Sequence, residues 1–304
     1  MTTVPEGAAA GLPSRPHPLL RCGRHRLRLG ERTLVVGIVN ATPDSFSGDG
    51  LGGDPEAALA LAERMVSEGA DLIDVGGEST RPHSVPVDAA TEAARAVPVV
   101  ELLARRLAVP VSVDTRKAEV AEAAISAGAS VVNDIWGLRG DPRMAEVLAA
   151  HPDVALVAMH NRRDHGEGDL IAAVAAGLGE TLAIAGRHGI APERVVVDPG
   201  FGFGKTPAQN LELVRRLGEL RALGRPILVG PSRKSTIGLV LGGASAGERL
   251  EGTIALCVLA VAAGADLVRV HDVAAVSRAL RLADAVLRGV PEPVRAAPAP
   301  GPTG

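Results

Sequence analysis

The sequence predicts an α/β fold, a single-domain (β/α)8 barrel, and three observations predict it. Short runs of Val, Ile and Leu alternate with longer Ala- and Leu-rich segments, the pattern of parallel strands joined by crossover helices. Eight such units fall within about 260 residues, the size of a TIM barrel. Three predicted helices end in one phrase, Glu68-Gly69-Ala70-Asp71, Ala127-Gly128-Ala129-Ser130 and Ala263-Gly264-Ala265-Asp266, where Gly closes a helix just before the next strand. A doubly wound open sheet is the runner-up.

In chain order, the strands are predicted near 34–39, 71–76, 110–114, 130–135, 154–160, 194–198, 226–230 and 266–271. Residues 1–18, rich in Ala, Gly and Pro, read as a disordered leader, and 290–304 as a disordered tail around a barrel domain of 19–289. The Arg-rich stretch from Arg21 to Arg32 reads as a solvated hairpin capping the barrel floor.

Composition excludes several function classes. Of 304 residues, 46% are hydrophobic, which allows a large core. Lys and Arg number 32 against 35 Asp and Glu, so no electrostatic case exists for nucleic acid. No apolar run is expected to reach membrane-spanning length. Cys22 and Cys257 stand far apart with no CxxC, which fits a reducing cytoplasm and argues against a Cys-based metal site. One Trp, three Phe and no Tyr make the aromatics scarce. Phe46, Trp136, Phe201 and Phe203 all follow predicted strands, so they read as residues kept where a flat ligand is held.

The stretch 195–206, VVVDPGFGFGKT, concentrates the signal. Asp198 closes a buried β-branched strand, Pro199 stops the ladder, and glycines alternate with two phenylalanines. Its end is no phosphate-binding P-loop, since position 199 is Pro where that motif needs Gly. Nor is Gly48-x-Gly50-x-x-Gly53 a dinucleotide fingerprint, since it begins eight residues past Asn40 rather than in a tight strand-to-helix turn.

Barrel chemistry sits at the C-terminal ends of the strands. Those ends read Asn40, Glu78-Ser79-Thr80-Arg81, Asp114, Asn133-Asp134, His160-Asn161, Asp198, Arg233-Lys234, and Arg269 with His271-Asp272. Each has a structural alternative: Asp114 as a helix cap, Asn133 or Asp134 as a turn former, His160 as a core histidine, Arg269 as a partner of Asp272. Eight coincidences on one rim favour function. Asp114, Asn133 and Asp198 suit the donor-rich edge of a heteroaromatic ring, with Lys234 as a cation over it. Arg269 and His271 suit phosphate, and Asn40 suits a hard cation such as Mg²⁺ that shares phosphate oxygens and water. Loops 41–53 and 79–86 read as lids over a second substrate, with Phe46, Ser79, Thr80, Arg81 and Pro82 in its site.

In order, the stretches GIVNATPDSFS (37–47), DLIDVGGESTRP (71–82), VSVDTRKAEVA (111–121), VVNDIWG (131–137), AMHN (158–161), VVDPGFGFGKT (196–206), LVGPSRKS (228–235) and LVRVHD (267–272) resemble dihydropteroate synthase over nearly the whole core. The resemblance implies a TIM-barrel transferase of folate biosynthesis, usually a homodimer and a sulfonamide target. It condenses 6-hydroxymethyl-7,8-dihydropterin diphosphate with p-aminobenzoate, using Mg²⁺. Carried over by motif position, Asp114, Asn133, Asp198 and Lys234 hold the pterin, and Met159 of AMHN joins the substrate-binding set. Asn40, Arg269 and His271 take the diphosphate, Asn40 also holding Mg²⁺, while Phe203, Ser235, Thr80 and the two loops receive p-aminobenzoate. The resemblance also implies that diphosphate leaves first, giving a pterin carbocation that the arylamine captures. The chain departs from the family pattern at SFSGDG in the first loop and at His83. A pterin-binding methyltransferase would share Asp114, Asn133 and Asp198 but has no need of SRKS and RVHD. A catalytically silent paralogue would have lost Lys234, Arg269 or the first-loop motif, and all are present.

Overall fold

The computed structural model describes residues 19–42, 54–79, 85–161 and 168–290. The Arg-rich stretch forms the expected hairpin, β1 (Leu19–Cys22) antiparallel to β2 (His25–Arg28). Strands and helices then alternate: β3 (Leu34–Asn40), α1 (Pro55–Glu68), β4 (Leu72–Gly76), α2 (Ala89–Arg106), β5 (Val111–Asp114) and α3 (Ala118–Ser126). Next come β6 (Val131–Asp134), α4 (Arg143–Ala150), β7 (Ala155–Met159), α5 (Leu170–Arg187), β8 (Val195–Asp198) and α6 (Pro207–Arg215). The chain closes with β9 (Leu228–Val229), α7 (Ser235–Val240), α8 (Leu250–Ala262), β10 (Leu267–Val270) and α9 (Val273–Arg288).

Strands β3 to β10 form one parallel sheet in the order β8-β7-β6-β5-β4-β3-β10-β9, and a parallel bridge from Val197 to Ile227 joins its two ends. The sheet is therefore a barrel rather than the open alternative, and every strand finishes at the same mouth. Strand β9 is short because Pro226 precedes it and Gly230-Pro231 follows it, and proline cannot donate to the ladder. Gly69, Gly128 and Gly264 end α1, α3 and α8 at φ 110°, 109° and 107°, as their repeated phrase predicts.

The two-residue period of a strand sorts its side chains. One parity, including Ile73, Val75, Val111, Val113, Val195 and Val197, packs outward against the helices. The other parity points inward. Near the bottom, Val36, Leu72, Val131, Val157, Val196, Leu228 and Leu267 form an apolar floor, sealed by Leu20 and Cys22 of the hairpin. Two residues further along the same strands the inward face carries Asp74, Asn133, Asp198 and Arg269, and Ser112 is followed by Asp114. The barrel is dry below and charged above.

Contrary to the sequence expectation, one described helix, Leu170–Arg187, is long and apolar enough to cross a membrane, with a mean hydropathy of 1.4. That hydropathy has a barrel explanation: α5 buries Leu170, Ile171, Val174, Leu178 and Ala185 against the sheet and its neighbours. Alanine and glycine fill much of its remaining surface, which raises the average without a continuous apolar exterior.

Candidate active site

Each rim group comes from the inward parity at a strand end or from the loop just beyond it. Asp114 ends β5 and accepts from Arg269 Nη2 at 2.8 Å. Arg269 arrives from β10 and also places Nε 2.6 Å from Asp74 Oδ2. The same oxygen accepts from Asn133 Nδ2 at 2.9 Å, so β4, β5, β6 and β10 are tied across the barrel. Burial pushes the Asp114 carboxyl up to about 7 even though Arg269 opposes it, because Asp74 stands alongside. Burial alone would favour a neutral Arg269, but Asp74 and Asp114 outweigh it and hold the guanidinium charged.

Asp198 ends β8 and is 6% exposed. Its Oδ1 accepts from the Gly200 amide at 2.7 Å. Gly200 has φ +75°, and a Cβ there would stand 2.0 Å from the His160 carbonyl oxygen, so only glycine makes this turn. Burial raises the Asp198 carboxyl, with Lys234 opposing. Lys234 donates to the Phe201 carbonyl and lies 4.2 Å over the Phe203 ring. Gly202 makes room for its stem, since a Cβ there would stand 2.4 Å from Lys234 Cδ. Burial pulls the Lys234 ammonium down to about 7, with Asp198 opposing.

The backbone that presents Lys234 is held from behind. Arg233 takes φ +56°, a conformation rare outside glycine. Its amide donates to Thr253 Oγ1 at 3.0 Å, its carbonyl accepts from Arg249 Nη1 at 2.8 Å, and its guanidinium pairs with Asp272 at 2.6 Å. Arg233, not Arg269, is therefore the partner of Asp272. Ser235 follows at the exposed start of α7. His271 is half-buried, with Nδ1 3.0 Å from Ser232 Oγ, which also accepts its backbone amide at 3.2 Å.

Asn40 ends β3 in register with Gly76, and Met159 ends β7 in register with Asp198. Ser79 is half-buried, next to Glu78, whose carboxylate meets Arg116 at 3.2 Å and also Lys117. Lys117 reaches the buried Glu92 as well, which fixes the root of that loop. Phe46, Thr80, Arg81 and Pro82 lie outside the described residues, as do the SFSGDG and His83 departures.

The aromatic reading needs correction. Phe201 is fully buried in the outer core, so its ring serves packing rather than a ligand. Trp136 is 39% exposed on the turn after β6. Lys234 Nζ stands 4.2 Å from the Phe203 ring centroid and 6.0 Å from that of Phe201, so Phe203 is the nearer ring to the rim charge. Asp134 has the outward parity and accepts from the amides of Trp136 and Leu138 at 2.8 and 2.7 Å, which is the turn-forming role. His160 is buried with Nδ1 3.4 Å from Lys205 Nζ.

Sequence reasoning missed Asp74, Ser232 and Lys205. Asp74 had a signal: a carboxylate between Ile73 and Val75, on the parity of the rim residues and two positions before a strand end. Ser232 and Lys205 act from loops, where no period marks them.

The pterin binding enzyme family matches residues 36–271. The dihydropteroate synthase of Clostridium beijerinckii is 44% identical over 270 residues, covering 88% of this chain and all of that protein. Among solved structures, dihydropteroate synthase from Clostridium difficile, determined in the presence of pteroic acid, superposes with a TM-score of 0.82. Its identity is 45%, over 86% of this chain and 99% of that one. The Xanthomonas albilineans enzyme with 4-aminobenzoic acid gives a TM-score of 0.82 at 43% identity, over 93% of this chain and all of that one.

Proposed function

We propose how this rim does its chemistry from one premise: the chain belongs to the dihydropteroate synthase family. It is a transferase of folate biosynthesis. The reaction condenses 6-hydroxymethyl-7,8-dihydropterin diphosphate with p-aminobenzoate to give 7,8-dihydropteroate and diphosphate. The bond from the pterin methylene carbon to oxygen breaks, and its electron pair leaves with diphosphate. A bond from that carbon to the arylamine nitrogen forms, and the nitrogen gives its proton to water.

Asp114, Asn133, Asp198 and Lys234 hold the pterin. The observation that carries this reading is that groups from β5, β6, β8 and the loop after β9 converge at one barrel mouth above an apolar floor. Buried carboxylates need partners, and the amino and ring N–H groups of a pterin supply them. Carboxylates on one side favour positive charge developing on the ring as the leaving group departs. Arg269 and His271 take the diphosphate, and Phe203, Ser235 and Met159 take part in substrate binding, with p-aminobenzoate entering between Phe203 and the loops. Sulfonamides compete at that second site. Asn40 fits Mg²⁺: it offers one hard neutral oxygen at the rim, the kind of protein ligand this ion takes when phosphate oxygens and water complete its shell. Among the described residues no group of three His, Cys, Asp or Glu could hold a metal alone. Bound there, the ion would neutralise charge on the departing diphosphate.

The test is diphosphate release coupled to a chromogenic reporter. Steady release is expected only when pterin diphosphate and p-aminobenzoate are both present, and no methyl group should pass from methyltetrahydrofolate. Methyl transfer without diphosphate release would sink the assignment.

The enzyme works in the cytoplasm as a homodimer. Free, buried Cys22 and Cys257 support the compartment. Exposed Leu239 and Val240 of α7, Leu241 just after it, Leu259 of α8, and Leu282 and Val286 of α9 support the dimer, since α8 packs on α9 and meets α7 at Gly252, and so much exposed aliphatic surface on neighbouring elements marks an interface. Sedimentation should give twice the chain mass of 31.0 kDa. Leu259→Glu should halve it, and a monomeric wild type would rule the dimer out.

A further inference from the structure

Asp74 is part of the site, yet the chemistry above gives it nothing to do. It is 1% exposed in the middle of β4, on the inward face, in register with Ser112. A carboxylate so placed is costly unless its acceptors are used. Its Oδ2 is used twice, by Arg269 Nε at 2.6 Å and by Asn133 Nδ2 at 2.9 Å.

The second contact decides which way Asn133 points. A side-chain amide carries donors on one arm and an acceptor on the other, and the two arms are told apart by their partners. An ionised carboxylate only accepts, so the arm of Asn133 facing Asp74 must be the NH₂. Its Oδ1 is then the arm left for the mouth. Asn133 free of Asp74 could present either arm at similar cost.

We infer that Asp74 is a positioning residue that fixes the Asn133 amide with its oxygen toward the mouth, so that this oxygen stands ready to accept from an N–H or amino group of the ring. The inference rests on the proposed role of Asn133 in holding the pterin. It explains how an amide, chemically two-faced, serves as a third acceptor beside Asp114 and Asp198. Asp74 thereby sets the hydrogen-bonding sense of this amide oxygen without touching the ligand.

The experiment is calorimetric binding of 6-hydroxymethylpterin to the full chain. This probe lacks the diphosphate, so contacts of Arg269 with phosphate are not read. Asp74→Ala should weaken binding about tenfold, whereas Asp74→Asn, which keeps an oxygen acceptor, should stay within about threefold. In an Asn133→Ala background, Asp74→Ala should cost less than about twofold more, because its effect passes through the amide. Should Asp74→Ala fail to fold, the exchanged pair decides. Asn133→Asp alone sets two carboxylates against each other and should cost at least about tenfold. Adding Asp74→Asn should restore binding to within about threefold, with a donor below and an acceptor above. An undiminished tenfold cost in the Asn133→Ala background, or no rescue by the exchange, overturns the inference alone. If Asn133→Ala by itself leaves binding unchanged, the pterin reading of the rim falls first and this inference with it.

Discussion

Asp198→Ala is expected to lower kcat/KM for pterin diphosphate by about 10²–10³ while the KM for p-aminobenzoate stays within about threefold. Hydrogen bonds to a charged group are worth roughly 1.5–3 kcal/mol each, so two from a pterin edge give about 3–6 kcal/mol, and the lower half of that span, at about 1.4 kcal/mol per factor of ten, is 10²–10³. The geometry favours the upper part of that range. Asp198 is locked by the Gly200 amide at 2.7 Å, so it needs little reorganisation to meet a ligand. Its charge also offsets that of Lys234, so its loss leaves a buried cation with only the weaker counter-charge of Asp114. Asp198→Asn separates shape from charge and should cost about tenfold. A parallel rise in the KM of both substrates would show that Asp198 supports the barrel mouth generally and would remove its assigned role.

The fold was legible because barrels write two periods into their sequence. Each predicted strand lies within two residues of an observed one, since Pro and Gly punctuate the ends and β-branched runs fill the middles. The same period of two could have exposed Asp74, which shares the parity of Asn133 and Arg269 once the strands are aligned. It passes unnoticed because attention to strand ends overlooks the layer beneath. Phe201 failed for the opposite reason. Phe201 and Phe203 flank Gly202 alike in sequence, and only tertiary packing buries one ring fully in the core and leaves the other in closer contact with Lys234. Arg269 shows a third limit. Its position on the rim follows from the strand count, but its pairing with Asp74 and Asp114 joins residues 195 and 155 positions away, which no local pattern encodes. Alpha-helix α5 misleads by composition, because a helix faced with Ala and Gly reaches membrane-like hydropathy while packing on a sheet.

The pH dependence of kcat/KM for pterin diphosphate should be a narrow bell centred near 7, and Lys234→Met should remove its alkaline limb together with about 10²–10³ of the rate. Two groups set the limbs. Asp114, pushed up to about 7 by burial, must be ionised to accept from the ring, so the rate rises with pH through that value. Lys234, pulled down to about 7 by burial, must be charged, so the rate falls above it. Asp114→Asn should leave the acid limb to Asp198, whose carboxyl is also raised by burial, and move the alkaline limb to lower pH, because the Asp114 carboxylate helps to hold the Lys234 charge. Stability should run the other way. Between about 7 and the ordinary lysine value of 10.5, the unfolded chain binds the Lys234 proton and the folded one does not, so this group makes stability rise with pH. Between 3.8 and about 7, folded Asp114 holds a proton the unfolded chain has lost, so its contribution falls with rising pH. The two groups together are least stabilising near the pH where the enzyme works best, the cost of keeping opposite charges in a buried mouth before substrate arrives. Thermal melts of the free enzyme should show it: Tm of the wild type rises from pH 7 toward 10 relative to Lys234→Met, and pterin diphosphate raises Tm most near pH 7. A rate profile flat from pH 6 to 9, or an alkaline limb that survives in Lys234→Met, would place the titrating groups elsewhere.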